Sequence, residues 1–311
     1  MAPRWTADDV PDLAGRTFIV TGGNSGLGYE TARALARKRA HVVLACRDVA
    51  KAKAAVDAIS IEAPAARVEA MALDLASLAS VRSFAEAFRA RGDALHGLVN
   101  NAGVMAIPRR QTADGFEMQL GTNHLGHFAL TGLLLDRLLA TGGGRVVAVS
   151  SSAHRPGRIA FDDLQSQRRY GKWRAYAQSK LANLLFAYEL QRRLARAGSG
   201  AISVACHPGY AATNLQSAGP RMDGSRWMER LMALGNVLLA QNAEMGALPI
   251  LYAATAPDVR GGEFFGPDGL GEMTGHPRRV RSSARSHDEA LAAKLWERSA
   301  SLTGVRYEVL A

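Results

Sequence analysis

Short apolar runs alternate with amphipathic stretches through most of this chain, and that alternation limits it to one fold class. The runs predict strands over 17–21, 41–46, 68–73, 97–100, 145–150, 202–206 and 262–265. Between them, helical periodicity predicts helices over 26–39, 49–60, 77–91, 116–139 and 173–196, with a last one over 288–299. In the third helix Val81, Phe84, Ala85 and Phe88 recur at i, i+3, i+4 and i+7, one apolar face of a helix. Strand-helix alternation gives a parallel sheet covered on both faces, and right-handed crossovers wind it doubly. The expected fold is therefore α/β, a single-domain Rossmann fold with a doubly wound parallel sheet of about seven strands.

Around this core four segments stand apart. They are an N-terminal extension (1–14), an inserted loop (153–171), a substrate lid (210–235) and a C-terminal extension (268–311). The stretch 227–254 is apolar at helical spacing and predicts a helix packed on the sheet. In such a fold ligands bind at the carboxyl ends of the strands.

Composition excludes several function classes. Apolar residues make up 48% and charged residues 21%, an ordinary globular balance. The net charge is +10, but the basic residues are scattered. The densest group, Arg278, Arg279, Arg281 and Arg285, lacks interleaved aromatics for base stacking, so no nucleic-acid partner is expected. The two cysteines, Cys46 and Cys206, lie in predicted strands and read as buried free thiols of a reducing compartment. No signal-peptide layout and no uninterrupted spanning run occur, so a cytoplasmic chain without a membrane anchor is expected. His124 and His127 are three apart on a predicted helix, but no third ligand is placed near them, and no metal is expected.

Chemistry enters at four places. Thr21-Gly22-Gly23-Asn24-Ser25-Gly26-Leu27-Gly28 follows a strand and opens a helix. Gly22 permits the sharp turn, Gly26 lets a pyrophosphate approach, and Gly28 lets helix and sheet pack closely. The second strand ends in Ala45-Cys46-Arg47-Asp48, where a basic residue favours the 2'-phosphate of NADP and an acidic one favours NAD. Arg47 points to NADP(H), and Asp48 is the competing ligand if the strand ends one residue later. Asn100-Asn101-Ala102-Gly103 and Ser150-Ser151-Ser152 end the fourth and fifth strands in the same crevice. Tyr176 and Lys180 share one face of the long helix, which sets an ammonium beside a phenol and lowers the phenol's pKa.

Taken together these motifs resemble the short-chain dehydrogenase/reductase family, from about Arg16 to about Pro267. TGxxxGxG, NNAG, a serine after the fifth strand, YxxxK, and His207-Pro208-Gly209 occur in the family's order. Ala45-Cys46-Arg47-Asp48, Thr122-Asn123-His124-Leu125-Gly126-His127-Phe128, Ser151-Ser152-Ala153-His154 and Tyr176 to Asn183 are similar to the retinol-dehydrogenase-like branch, which includes the WW-domain-containing oxidoreductases. The resemblance implies an oxidoreductase (EC 1.1.1.-) that interconverts an apolar carbonyl and alcohol by hydride transfer, with NADP(H) preferred and NAD(H) possible.

It also implies roles. Tyr176 is the general acid or base, Lys180 lowers its pKa and binds the nicotinamide ribose, and Asn123 holds a water linking Lys180 to solvent. Spacing to Tyr176 favours Ser151 as the carbonyl donor, with Ser152 second. Gly22, Asn24, Ser25, Gly26, Leu27, Gly28 and Arg47 match phosphate and ribose contacts, and Asp74 and Leu75 the adenine end. Asn101, Ala102 and Gly103 line the ribose, and Pro208, Gly209 and Thr213 the nicotinamide. Relatives are often dimers or tetramers through the helices that begin at Phe116 and Trp173. The competing reading is a non-catalytic dinucleotide-sensing regulatory protein on the same fold. The intact Asn123, Ser151, Tyr176 and Lys180 set argues against it.

Overall fold

The computed structural model describes residues 4–210 and 242–310. One sheet contains β1 (Thr17–Thr21), β2 (His41–Cys46), β3 (Val68–Ala72) and β4 (Gly97–Asn100). It continues through β5 (Arg145–Val149), β6 (Ile202–Cys206), β7 (Phe264–Pro267) and β8 (Pro277–Arg279). The spatial order is β3-β2-β1-β4-β5-β6-β7-β8. The pairings from β3 through β7 are parallel, and β8 returns antiparallel along β7. The sheet thus has eight strands where about seven were expected. The eighth is a three-residue run of Pro277, Arg278 and Arg279, too short and too basic to show any apolar alternation. β7 starts later than expected because Gly262 is spent in a turn, with φ +81° and its N–H donated to Ser203 O.

The helices start where capping side chains stand. Asp48 caps α2 (Val49–Glu62) and Ser77 caps α3 (Leu78–Ala90). Asn242 caps α6 (Ala243–Thr255), and Asp288 caps α7 (Glu289–Thr303), each accepting an orphan N–H of the first turn. Gly304, in the left-handed conformation at φ +65°, ends α7. α1 (Gly26–Arg37) and α5 (Lys172–Arg196) match their expected spans to within two residues.

The helix expected over 116–139 is not regular. A helical turn at Met118–Leu120 passes into a π-helix at Gly121–Leu125 and then into α4 (Gly126–Leu139). Glu117 accepts Gln119 N and Leu120 N, so its carboxylate caps the turn from inside. Of the helix expected over 227–254, only α6 lies among the described residues. Thr213 and lid positions 211–235 lie outside them.

Every residue of β1 is buried, as a strand covered on both faces requires. Phe18 and Val20 face one core with Leu35, Leu44, Ile59 and Ile250. Ile19 faces the other, with Phe84, Phe88, Phe128, Leu190 and Trp296. β1 lies between β2 and β4, so the chain reverses its winding there, and the crevice between the carboxyl ends of β1 and β4 is the ligand position.

α7 changes the outer surface. Trp296 stacks on Phe186 of α5 at 5.8 Å and meets Phe128 of α4 edge-on at 5.1 Å, and the Tyr307 hydroxyl donates to Phe128 O at 2.7 Å. The faces of α4 and α5 that carry Phe128, Phe186 and Leu190 are therefore covered by the C-terminal extension.

Candidate active site

Gly22 turns at φ +67° out of β1, and its N–H is held by Ala45 O of β2. Gly28, one turn into α1, fits only without a side chain, because a Cβ there would lie 2.3 Å from Gly22 O and 2.6 Å from Asn101 Nδ2. Ser25 stands at the N-cap in extended conformation, and its hydroxyl makes no cap bond. The α1 N–H groups of the first turn thus open onto the crevice, as an anion site requires. These residues fit a dinucleotide's pyrophosphate.

The facing wall is organised by Thr21. Its hydroxyl accepts Asn101 N at 2.9 Å and Ala102 N at 3.0 Å, and Asn101 Nδ2 donates to Thr21 O at 2.8 Å. His127 Nδ1 lies 3.0 Å from Asn123 O, a carbonyl that can only accept, so this nitrogen carries the proton. His127 Nε2 is then an acceptor for the Thr21 hydroxyl at 2.9 Å. Burial pulls this imidazole down to about 4, which keeps it neutral.

Asn123 sits in the π-helix and is fully buried. Its Oδ1 accepts Val104 N at 2.8 Å, and its Nδ2 donates to Val104 O and to Ser179 Oγ, both at 2.9 Å. The side chain is thus bonded to the backbone beyond Gly103 and to α5. The added residue of a π turn aims it there, a device common at functional sites. A Cβ on Gly103 would lie 3.0 Å from Asn123 Oδ1 and 3.7 Å from Lys180 Nζ, so the three meet at one point.

Tyr176 and Lys180 lie one turn apart on α5, both buried. Ser151 is the serine beside the Tyr176 phenol, close enough that its hydroxyl opposes the effect of burial on the phenol. Ser150 points elsewhere, donating to Lys180 O at 2.8 Å, and Ser152 is exposed at the start of a short turn. Of the three serines, Ser151 is the one brought to the tyrosine.

Burial acts against the lowering of the phenol expected from Lys180. It pushes Tyr176 up to about 12, opposed by the Ser151 hydroxyl. Lys180 Nζ lies 5.7 Å from the Tyr176 ring centre and donates to Val149 O at 3.1 Å, and burial pulls it down to about 8. Desolvation moves the two in opposite directions because burial penalises the charged form of each, phenolate and ammonium.

At the adenosine end, Arg47 is exposed just beyond β2. Asp48 accepts Lys51 N at 3.1 Å and pairs with Lys51 Nζ at 3.3 Å, so its carboxylate is committed to α2. Asp74 Oδ1 accepts Ala76 N, which shapes the turn after β3, and Leu75 is buried under it. At the nicotinamide end, Gly209 has φ +68° and a Cβ there would meet Met273 O at 2.3 Å, so Pro208 and Gly209 pack against the hairpin between β7 and β8. His207 Nε2 lies 3.0 Å from Glu272, which also pairs with Arg155 at 3.2 Å. Glu272 thereby ties together the loops after β5, β6 and β7, and nothing in its local sequence signals this.

His124 is buried with its Nε2 2.9 Å from Ser299 Oγ. Cys46 and Cys206 are free and buried. Among the described residues no helix is long and apolar enough to cross a membrane.

The short chain dehydrogenase family model matches residues 16–223. Retinol dehydrogenase 12 from Homo sapiens is 41% identical over 95% of this chain and 89% of its own length. Polyprenol dehydrogenase from Danio rerio is 41% identical over 96% of this chain and 90% of its own. A solved structure of an uncharacterized protein from Mycobacterium paratuberculosis superposes with a TM-score of 0.81 at 46% identity, covering 98% of this chain and 99% of that one. The chain belongs to the short-chain dehydrogenase/reductase family, in its retinol-dehydrogenase-like branch. It is an NAD(P)-dependent oxidoreductase acting on a CH–OH/C=O pair of a small-molecule substrate.

Proposed function

We propose that this enzyme prefers NADP(H), acts on an apolar alcohol or aldehyde, and uses Tyr176 as its general acid and base. The observation that carries the reading is the buried Tyr176 phenol with Ser151 beside it and Lys180 Nζ 5.7 Å from its ring, on the next turn of the same helix. The bound nicotinamide supplies or accepts the hydride. Ser151 and Tyr176 hydrogen-bond the substrate oxygen, which is where negative charge develops. In reduction the neutral phenol, the form that burial favours, gives its proton to that oxygen. In oxidation it must receive one, and the Lys180 ammonium in the same pocket favours the phenolate this requires. Asn123 keeps the backbone beyond Gly103 in place, so that this wall of the pocket does not shift during the reaction.

Support for NADP(H) comes from the two charged residues after β2. Arg47 has no ion-pair partner among the described residues, whereas Asp48 caps α2. Support for an apolar substrate comes from the rim of the crevice. Leu270 and Met273, on the hairpin packed against Gly209, expose 90% and 47% of their surface, and Trp173 exposes 51% beside Tyr176. Single exposed apolar residues are ordinary, but ones beside Tyr176 and on the hairpin against Gly209 suit a ligand that is itself apolar. The relatives named for retinol and polyprenol make those alcohols the first probes. The buried free thiols suit a reducing compartment.

The test has two arms. Titration with NADPH and NADH, followed by nicotinamide fluorescence, should show tighter NADPH binding. Arg47→Ala should weaken it about 10-fold or more while leaving NADH within about twofold, as loss of a charge-assisted phosphate contact requires. Preferential NADH binding would overturn the cofactor reading. In the second arm, retinol with NADP should turn over in the native enzyme and not in Tyr176→Phe, which should still bind NADPH. Full activity in that variant would remove Tyr176 from the mechanism.

A further inference from the structure

His154 is buried in the turn that follows Ser151, and both of its ring nitrogens are used. Nδ1 lies 2.6 Å from Ser151 O, which only accepts. Nε2 receives the N–H of Ser283 at 3.1 Å. The partners therefore fix one neutral tautomer, with the proton on Nδ1. The ring stands edge-on to Phe264 of β7 at 5.7 Å. Arg155, Glu272 and His207 are the charged and titratable groups around it.

Ser283 is itself anchored. Its neighbour Ser282 bonds the Tyr188 hydroxyl of α5 at 2.8 Å, and Tyr188 stacks on His287 at 4.7 Å. Arg285 Nη1 donates to Gly157 O, on the same loop as His154. Gly157 is pressed against α5, where a Cβ would lie 2.6 Å from Ala177 O. The loop carrying Ser151 is thus clamped between α5 and the C-terminal segment, which is fastened to α5. Tyr176 sits on that helix too.

We propose that His154 is a positioning residue for the reaction: it locks Ser151 against a C-terminal brace mounted on α5, and so fixes the spacing between Ser151 and Tyr176. The C-terminal extension then acts on the chemistry without touching substrate. This rests on the reading of Ser151 as the oxygen-binding donor.

The test is a double-mutant cycle on single-turnover hydride transfer, with retinol and NADP as probes. His154→Phe keeps the ring and its packing but makes neither bond. It should lower the transfer rate about 10- to 100-fold, the scale of a small misplacement, with NADPH affinity within about twofold. His154→Asn, which can still donate to Ser151 O, should recover most of the rate. In a Ser151→Ala background His154→Phe should add no further loss, because its effect passes through Ser151. Equal losses in both backgrounds, or no loss in either, would overturn the proposal. Full activity of Ser151→Ala alone would instead overturn the reading of the site. Amide hydrogen exchange of His154→Phe needs no substrate: residues 151–157 and 282–286 should exchange faster, with α5 unchanged, and unaltered protection there would equally sink the brace.

Discussion

Thr21 and His127 are 106 residues apart in the chain and 2.9 Å apart in the fold, with the threonine hydroxyl donating to the imidazole. Through this bond the end of β1, the Asn101–Ala102 turn and the π-helix around Asn123 become one unit. Thr21→Val removes the donor to His127 and the acceptor of two buried N–H groups. It should cost about 2–4 kcal/mol in urea unfolding and weaken NADPH binding. An unchanged midpoint would mean that the Asn101 side chain alone holds the turn.

Acid should unfold the protein through its buried imidazoles. Burial holds His124 down to about 3 and His127 down to about 4. Above pH 6.5 both are neutral in the folded and unfolded chains, and neither affects stability. Between pH 6.5 and about 4 the unfolded chain binds protons that the folded chain cannot. Stability therefore falls as pH falls, by about 1.4 kcal/mol per pH unit for each residue. Melting curves from pH 7.5 to 4.5 should show this, with a shallower dependence in His124→Gln. An unchanged slope would mean that other groups set the acid limit.

Gly28→Ala should be among the most damaging single changes, since its methyl group would meet backbone at Gly22 as well as the Asn101 amide. The turn must open to admit it, at a cost of about 1–3 kcal/mol, and NADPH affinity should fall at least tenfold. The expected reading is a low melting temperature that excess NADPH restores only in part. Native affinity would show that the turn and α1 can separate freely.

Trp296→Ala would empty the contact among α4, α5 and α7, at about 3–5 kcal/mol. Because α7 covers these faces, sedimentation of the native protein should show no dimer built on the Phe128–Phe186 surface. Cross-linking through cysteines placed at Phe128 or Phe186 in the native chain would contradict this.

How much of this was legible beforehand depended on the range of the interactions. Short apolar runs located β1 to β6 to within a residue, because all but the half-exposed edge strand β3 are covered on both faces and must be apolar throughout. Side-chain caps such as Asp48 and Ser77 are local, and they mark helix starts in sequence as in space. β8 was invisible, since its only qualification is pairing with β7. The π-helix was equally invisible: Gly121 to Leu125 carry ordinary helical residues, and contact with Val104 and Thr112 decides their winding.

The described motif residues lie at the carboxyl ends of the strands, but their states did not follow from spacing. Tyr176 and Lys180 are four apart in any helix. Only burial shows that desolvation raises one and lowers the other. Only tertiary contact shows that Ser150 is spent on Lys180 O while Ser151 lies by the Tyr176 phenol, and that Asp48 is spent on the cap of α2. The sequence by itself determined β1 to β6 and the glycine turn, because these rest on periodicity and short-range geometry. Tertiary structure alone decided protonation, the tautomers of His127 and His154, and the brace from Ser283 to Ser151. Those depend on desolvation and on hydrogen-bond partners more than a hundred residues away.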